Sequence, residues 1–247
     1  MKLFDAGILG AVQGLTEFLP VSSSGHLVLA QSLIHGFKQP GVLFDVVLHF
    51  GTLFAVLYYF WKKILSLKIK YLVLLIIGTI PAALFGYFFD SQLETAFGNV
   101  KWVAIGLIVT GVLNLLVDKF SSRKKLITIK NSFLIGIAQA IAIIPGISRS
   151  GATIFAGTAV GIDKKEVADF TFLLSVPAVL GANVLQFVKH GLTGEMDILY
   201  YQVGLVTSFI VGVISIKFVY KFLKEKKFKY FGLYTIALGV IFLIFFK

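Results

Sequence analysis

Apolar runs and short polar interruptions alternate along the chain, and the runs fall into two lengths. Six are long enough to cross a hydrocarbon core of about 30 Å, which takes roughly 17 to 25 helical residues. They cover residues 42 to 61, 71 to 89, 100 to 117, 167 to 188, 198 to 220 and 230 to 246. Four others, 3 to 18, 25 to 35, 131 to 144 and 151 to 161, are too short or too interrupted. These form two pairs, each broken by a polar cluster: Pro20-Val-Ser-Ser-Ser-Gly25 and Pro145-Gly-Ile-Ser-Arg-Ser-Gly151. A helix, a polar break and a second short helix predict a re-entrant hairpin that enters and leaves the membrane on one side. Irregular backbone at that depth is tolerated only where protein or a wet cavity covers it.

The two pairs also resemble each other. Ile8-Leu-Gly-Ala-Val-Gln13 aligns with Leu134-Ile-Gly-Ile-Ala-Gln139 at an offset of 126, and a Pro, serines and a Gly follow in each. The same offset superposes Phe44 on Phe170, Leu48 on Leu174 and Gly106 on Gly232. The chain thus reads as one membrane domain, 1 to 247, built from internal repeats at about 1 to 120 and 126 to 247. Each half holds one re-entrant hairpin and three crossings. Three is odd, so the second copy is inverted relative to the first, which sets two broken elements face to face near the midplane. The expected fold class is an all-α integral membrane protein: six transmembrane helices plus two re-entrant helical hairpins, arranged as an inverted repeat.

Composition supports a membrane protein: 57% of residues are hydrophobic, 14% are charged, and the mean hydropathy is +0.92, well beyond soluble domains. A net charge of +11 could suggest nucleic acid. However, the lysines cluster between apolar runs, as in WKKILSLKIK (61 to 70) and YKFLKEKKFK (220 to 229). That placement suits an anionic membrane face and argues against a nucleic-acid partner. In the expected topology, one side receives loops 62 to 70, 118 to 130, 162 to 166 and 217 to 229 with 17 Lys and Arg, against Lys2, Lys38, Lys101, Lys189 and Lys247 opposite. The positive-inside rule makes the first side cytoplasmic and puts both termini outside. The absence of cysteine excludes disulfides and thiolate chemistry. Asp5, Gln13 and Glu17 interrupt the apolar N-terminus, and no small-residue cleavage site follows, so a cleaved signal peptide is not expected.

Arg149 is the one basic residue inside a break, and an arginine in an apolar region needs an anion or water. Its guanidinium fork suits phosphate, and Ser148-Arg149-Ser150-Gly151-Ala152-Thr153 leads into a short helix whose first N–H groups would face the same point. The alternative is a salt bridge to Glu17 that only locks the hairpins together. Gln13 and Glu17, four residues apart, share a helix face. A carboxylate beside a phosphate-binding arginine would repel the substrate unless a hard divalent ion lay between, which makes Gln13 and Glu17 candidate ligands for Mg²⁺ or Ca²⁺. The alternative for this pair is a hydrogen bond across helices. Ser22, Ser23 and Ser24 could bind phosphate or cap the helix starting near Gly25. His26 could act as base, acid or nucleophile, whereas His35, His49 and His190 lack such company; His35 and His190 read as loop or interfacial residues, and His49, within a crossing, has contact with the site as its alternative.

GAVQGLTEFLPVSSSGH (10 to 26) together with PGISRSGAT (145 to 153) resembles the two signature motifs of the undecaprenyl-pyrophosphate phosphatase family, also called the bacitracin-resistance family. The resemblance covers the whole chain. It implies a multi-pass enzyme of the bacterial plasma membrane that removes the terminal phosphate of undecaprenyl diphosphate with Mg²⁺ or Ca²⁺. The product would be the monophosphate carrier used for cell-wall polymers. On this resemblance Glu17, Ser23, His26 and Arg149 are catalytic, Ser22, Ser24, Ser148, Arg149, Ser150 and Thr153 bind phosphate, and Gln13 with Glu17 holds the ion. Gln13 stands where the family also uses Glu, which leaves Glu17 the principal carboxylate. Ser23 attacking with His26 as its base is the expected arrangement, with attack by His26 itself as the alternative. A lipid transporter or flippase fits the repeat and midplane site equally well, whereas a channel or scaffold leaves the polar set unexplained. The sequence leaves a homodimer open.

Overall fold

The structure, a computed structural model, describes residues 2–34, 43–121, 125–190 and 197–245. His35 and Lys38, Arg123, Lys124 and Lys247, all weighed above, lie outside the described residues, as does the side chain of His190. Among the described residues there are eleven helices and no strand, only an isolated bridge between Lys125 and Ile162. Six helices are long and apolar enough to cross a membrane: α3 (Leu43–Leu65), α4 (Ile69–Phe88), α6 (Val100–Val117), α9 (Lys164–His190), α10 (Ile198–Lys224) and α11 (Phe228–Phe245). The four shorter segments are α1 (Leu3–Phe18), α2 (Ser23–Leu33), α7 (Ile129–Ile141) and α8 (Arg149–Ala159). The sequence pattern does not anticipate α5 (Asp90–Phe97), an eight-residue polar helix between α4 and α6. An Asp90–Lys189 ion pair ties it to the end of α9.

The protein is a multi-pass membrane protein whose packing follows its small residues. In a lipid solvent helices gain little from burying apolar surface against one another, so close backbone approach at small residues supplies much of the association. A Cβ added at Gly10 of α1 would lie 2.6 Å from the carbonyl oxygen of Gly204 in α10. The same test at Gly136 of α7 finds Gly78 O in α4 at 2.5 Å. Gly111 and Gly232 bring α6 and α11 together in the same manner. Between these contacts lies an aromatic and aliphatic core that includes Phe18, Phe60, Phe170, Phe172, Leu174 and Phe228. The outward faces of the long helices stay apolar, with Ile76, Leu84, Val206 and Ile244 exposed, as contact with hydrocarbon requires.

One crossing positions both polar breaks. On α6, Thr110 Oγ1 donates to Gly146 O at 2.9 Å and accepts from Ser148 N at 2.8 Å. One turn further, Asn114 Nδ2 donates to Pro20 O at 2.6 Å. Residues four apart share a helix face, so a single face of α6 satisfies buried backbone groups of both breaks. Gly146, at φ +83, makes the second break's turn, and its lack of a side chain lets it lie against the Val103 carbonyl.

Candidate active site

The two breaks meet. Arg149, at the start of α8, donates through Nη2 to Glu17 Oε1 at 2.5 Å, and Ser150 Oγ donates to Leu19 O at 3.2 Å. Glu17 Oε2 accepts from Ser23 Oγ at 2.7 Å and from Gln13 Nε2 at 3.2 Å. Gln13 Nε2 also donates to His49 Nδ1 at 2.9 Å, so α3 contributes a ring to the cluster. Because this amide nitrogen faces a carboxylate, the Gln13 oxygen points elsewhere. That Oε1 atom is buried and unpartnered among the described residues, as is Arg149 Nη1. One face of the guanidinium fork therefore still lacks an acceptor, and a buried charged donor without one is costly.

Glu17, Ser22, Ser23, Ser24, Ser148 and Arg149 all line one cavity of about 560 Å³. The cavity continues away from them past Gln139 and Pro177 to Tyr87, Asp90 and Asn183, near the ends of α4 and α9 and beside α5. Its far walls are mostly apolar, with Ala82, Ile143, Val179 and Leu185. The cavity thus has a polar end at Arg149 and a largely apolar extension, the shape that suits a molecule with a charged head and an apolar tail.

The two short helices start differently. Ser148 caps α8 by accepting from Gly151 N at 3.2 Å. Ser22 precedes α2 with φ 71 and makes no capping bond through its side chain. A left-handed backbone costs a non-glycine residue roughly 1–2 kcal/mol. Here it turns the chain so that the Ser23 hydroxyl meets Glu17, and Ser22, Ser23 and Ser24, at the uncapped start of α2, line the cavity. The first N–H groups of a helix have no partner within it, and oriented toward a cavity they favour an anion.

Three expectations change. The Ser23 hydroxyl, expected to pair with His26, donates to Glu17 instead. His26 Nδ1 donates to Ser22 O at 2.8 Å, so its Nε2 accepts from the Tyr234 hydroxyl on α11 at 2.7 Å, and the ring is not among the residues lining the cavity. Secondly, the Thr153 hydroxyl donates to Arg149 O at 2.8 Å and Ser150 bonds Leu19, so both side chains bind backbone, and neither lines the cavity. Thirdly, α2 begins at Ser23 rather than near Gly25.

Sequence reasoning passed over Thr110, Asn114 and Tyr234, and gave His49 contact with the site only as an alternative. Thr110 and Asn114 did carry a signal, as two polar residues four apart in an otherwise apolar crossing. His49 carried only its place within a crossing, its partner lying 36 residues away, and Tyr234 carried none, with its partner 208 residues away.

The residues fit a divalent ion only together with a substrate. Among the described residues no group of three or more His, Asp or Glu could hold a metal. Glu17 offers a hard oxygen donor, and Mg²⁺ is commonly held by one or two carboxylates plus phosphate oxygens; Gln13 presents its amide nitrogen to Glu17, so its Oε1 would reach the same ion only with the amide reversed. Glu17 and Arg149 also cancel in charge, so an incoming diphosphate would bring uncompensated negative charge to a buried site.

The family model of bacitracin resistance protein BacA matches residues 6–241. A curated relative from Thermodesulfovibrio yellowstonii, "Undecaprenyl-diphosphatase", is 41% identical over 99% of this chain and 98% of its own length. Relatives bearing the same name are similar to this chain at 38% identity in Christiangramia forsetii and 39% in Caldicellulosiruptor bescii, each again over nearly the full length of both proteins. With both polar breaks inside the matched region, the chain belongs to the bacitracin resistance protein BacA family.

Proposed function

We propose that this protein is an undecaprenyl-diphosphate phosphatase, a membrane hydrolase that converts undecaprenyl diphosphate to undecaprenyl phosphate for cell-wall polymer synthesis. The name shared by its relatives supplies the lipid. The observation that carries the chemistry is the buried, unpartnered Arg149 Nη1 beside a Ser23–Glu17 hydrogen bond in a cavity with an apolar extension.

In this mechanism Arg149 keeps Nη2 on Glu17 and gives Nη1 to an oxygen of the terminal phosphate. Ser22, Ser24 and Ser148 complete the cradle with the first N–H groups of α2. Ser23 Oγ attacks the terminal phosphorus while Glu17 accepts its proton. The bridging P–O bond breaks, undecaprenyl phosphate leaves, and water then cleaves the phosphoserine to inorganic phosphate. His26 is a positioning residue, holding the Ser22 carbonyl in the turn that presents Ser23. Ser150 and Thr153 act through the backbone they bind. A Mg²⁺ or Ca²⁺ ion held by Glu17, joined by Gln13 with its amide reversed, would supply charge neutralisation at the diphosphate.

The same account places the α1–α2 and α7–α8 pairs as re-entrant hairpins of an inverted repeat in the bacterial plasma membrane. The glycine contacts support it: Gly10 meets Gly204 and Gly136 meets Gly78, and the offset of 126 maps each member of one pair onto one of the other. The lysine distribution supports external termini and a cavity open to the outside, since it reaches the chain ends of α4 and α9 rather than their lysine-rich ends. Purified protein in detergent should release inorganic phosphate from undecaprenyl diphosphate and leave the monophosphate. A preparation that binds the lipid and moves it across vesicles without hydrolysis would replace this function with transport.

A further inference from the structure

A second cleft, of about 740 Å³, sits at the other end of α9 and takes no part in the proposed reaction. The active-site cavity reaches Asn183 and Gln186, whereas this cleft is built around Asp163, Lys164 and Lys165. On α9 the cleft reaches as far as Asp169 and the cavity begins at Pro177, eight residues or about 12 Å further along the helix. Four lysines line it: Lys164 and Lys165, Lys224 at the end of α10, and Lys226 in the turn that follows. Tyr59, Phe60, Phe120 and Tyr220 form its aromatic walls.

The carboxylates in the cleft are already committed. Asp169 is engaged by Lys63 and by the Tyr220 hydroxyl. Asp163 accepts from the N–H groups of Lys165 at 3.0 Å and Glu166 at 3.3 Å, which fixes it to the start of α9. The Lys164 ammonium is buried and makes no hydrogen bond among the described residues. Asp118 Oδ1 forms an ion pair with it at 3.8 Å, too long for a hydrogen bond, while Asp118 Oδ2 accepts from Lys229 N at 3.1 Å. Lys164 thus has one loose ion-pair partner and spends no N–H on a hydrogen bond among the described residues, so its donors stay open to a further anion at the cleft. Lys226 adds an independent sign. It holds φ 53 just after the α10 C-cap, where glycine is the usual residue, so the chain keeps a lysine at a strained position that faces the cleft.

The membrane level follows from the neighbours. Trp61 and Tyr58, on the turn of α3 that carries Tyr59 and Phe60, are exposed, and exposed Trp and Tyr mark the headgroup region. Charge, aromatic walls and depth fit one ligand class. We propose that this cleft binds the phosphate of an anionic lipid headgroup, one lipid per chain, with Lys164, Lys224 and Lys226 as its donors. Inorganic phosphate shares that chemistry, and the test separates the two.

Delipidated protein is titrated with phosphatidylglycerol, phosphatidylcholine or inorganic phosphate and followed by native mass spectrometry. Wild type should take up one phosphatidylglycerol in preference to phosphatidylcholine. The variant Lys164→Gln/Lys224→Gln/Lys226→Gln should lose about 10² in affinity, at roughly fivefold for each lysine near the headgroups. Phosphate release by that variant should stay at the wild-type level, which shows that it is folded. Arginine at the same three positions should restore binding. Saturable uptake of inorganic phosphate without lipid, lost in the glutamine variant, would uphold the phosphate site and assign it to the free anion. Equal binding by wild type and the glutamine variant, or no preference over phosphatidylcholine, would overturn the proposal.

Discussion

Replacing Arg149 with lysine separates the two roles open to this residue. In the structure Nη2 is spent on Glu17 at 2.5 Å, and Nη1 is buried with no acceptor. Lysine carries the same charge on a single nitrogen, so it can hold Glu17 but cannot hold a phosphate oxygen in the fork geometry as well. Losing one charge-assisted hydrogen bond is worth about 1.5–3 kcal/mol. At 1.36 kcal/mol per factor of ten, turnover should fall by about 10- to 150-fold. Stability should change little, because the buried carboxylate keeps a cationic partner. Arg149→Ala differs in kind: it strands Glu17 and should cost about 3–5 kcal/mol of stability as well as activity. Phosphate release from undecaprenyl diphosphate and thermal unfolding, measured on the same detergent preparations, distinguish the outcomes. If Arg149 only locks the two breaks together, the lysine variant retains near wild-type turnover with a normal melting temperature, and that result would refute the phosphate-binding role.

Thorough chelation should abolish phosphate release and Mg²⁺ or Ca²⁺ should restore it, with Glu17→Gln recovering poorly at any concentration; activity that survives chelation removes the ion from the mechanism. Alanine at Gly10 places a Cβ 2.6 Å from Gly204 O, and at Gly136 one 2.5 Å from Gly78 O, so each should lower stability by about 1–3 kcal/mol. Gly181→Ala, with nothing within 4 Å, should leave the melting temperature unchanged or raise it. Asn114→Leu removes the 2.6 Å bond to Pro20 O and should cost about 1–3 kcal/mol. It should also slow turnover, because the first break loses its anchor; a variant with full activity would show that α6 does not position that break.

The elements legible in the sequence are those whose physics is local. Crossing length is set by bilayer thickness, so α6 runs over Val100–Val117 as its apolar run predicts, and the other five crossings differ from theirs by a few residues at the ends. Pro20 and Pro145 mark both breaks because each stands with serines and a glycine that together favour a turn, whereas a lone proline does not, since Pro81 lies inside α4 and Pro177 inside α9. The Glu17–Arg149 meeting was legible too, since two opposite charges in oil have few other partners. α5 was not, because eight residues between crossings, five of them polar, look like any loop. Nor was the Ser23–Glu17 bond: Ser23 is three residues from His26 in sequence, yet the left-handed backbone at Ser22 turns its hydroxyl to α1. No spacing rule reports a positive φ at a serine. The Tyr234 partner of His26 is likewise set only by where α11 packs.

The central claim is that both breaks build one site in which Ser23 takes the terminal phosphoryl group. Rapid quench of undecaprenyl diphosphate labelled on that phosphate, followed by acid and base treatment of the denatured protein, tests it most directly. The account predicts an acid-stable, base-labile label on Ser23 that is absent in Ser23→Ala and still forms in His26→Ala. An acid-labile, base-stable label that disappears in His26→Ala would contradict it and make the histidine the attacking group.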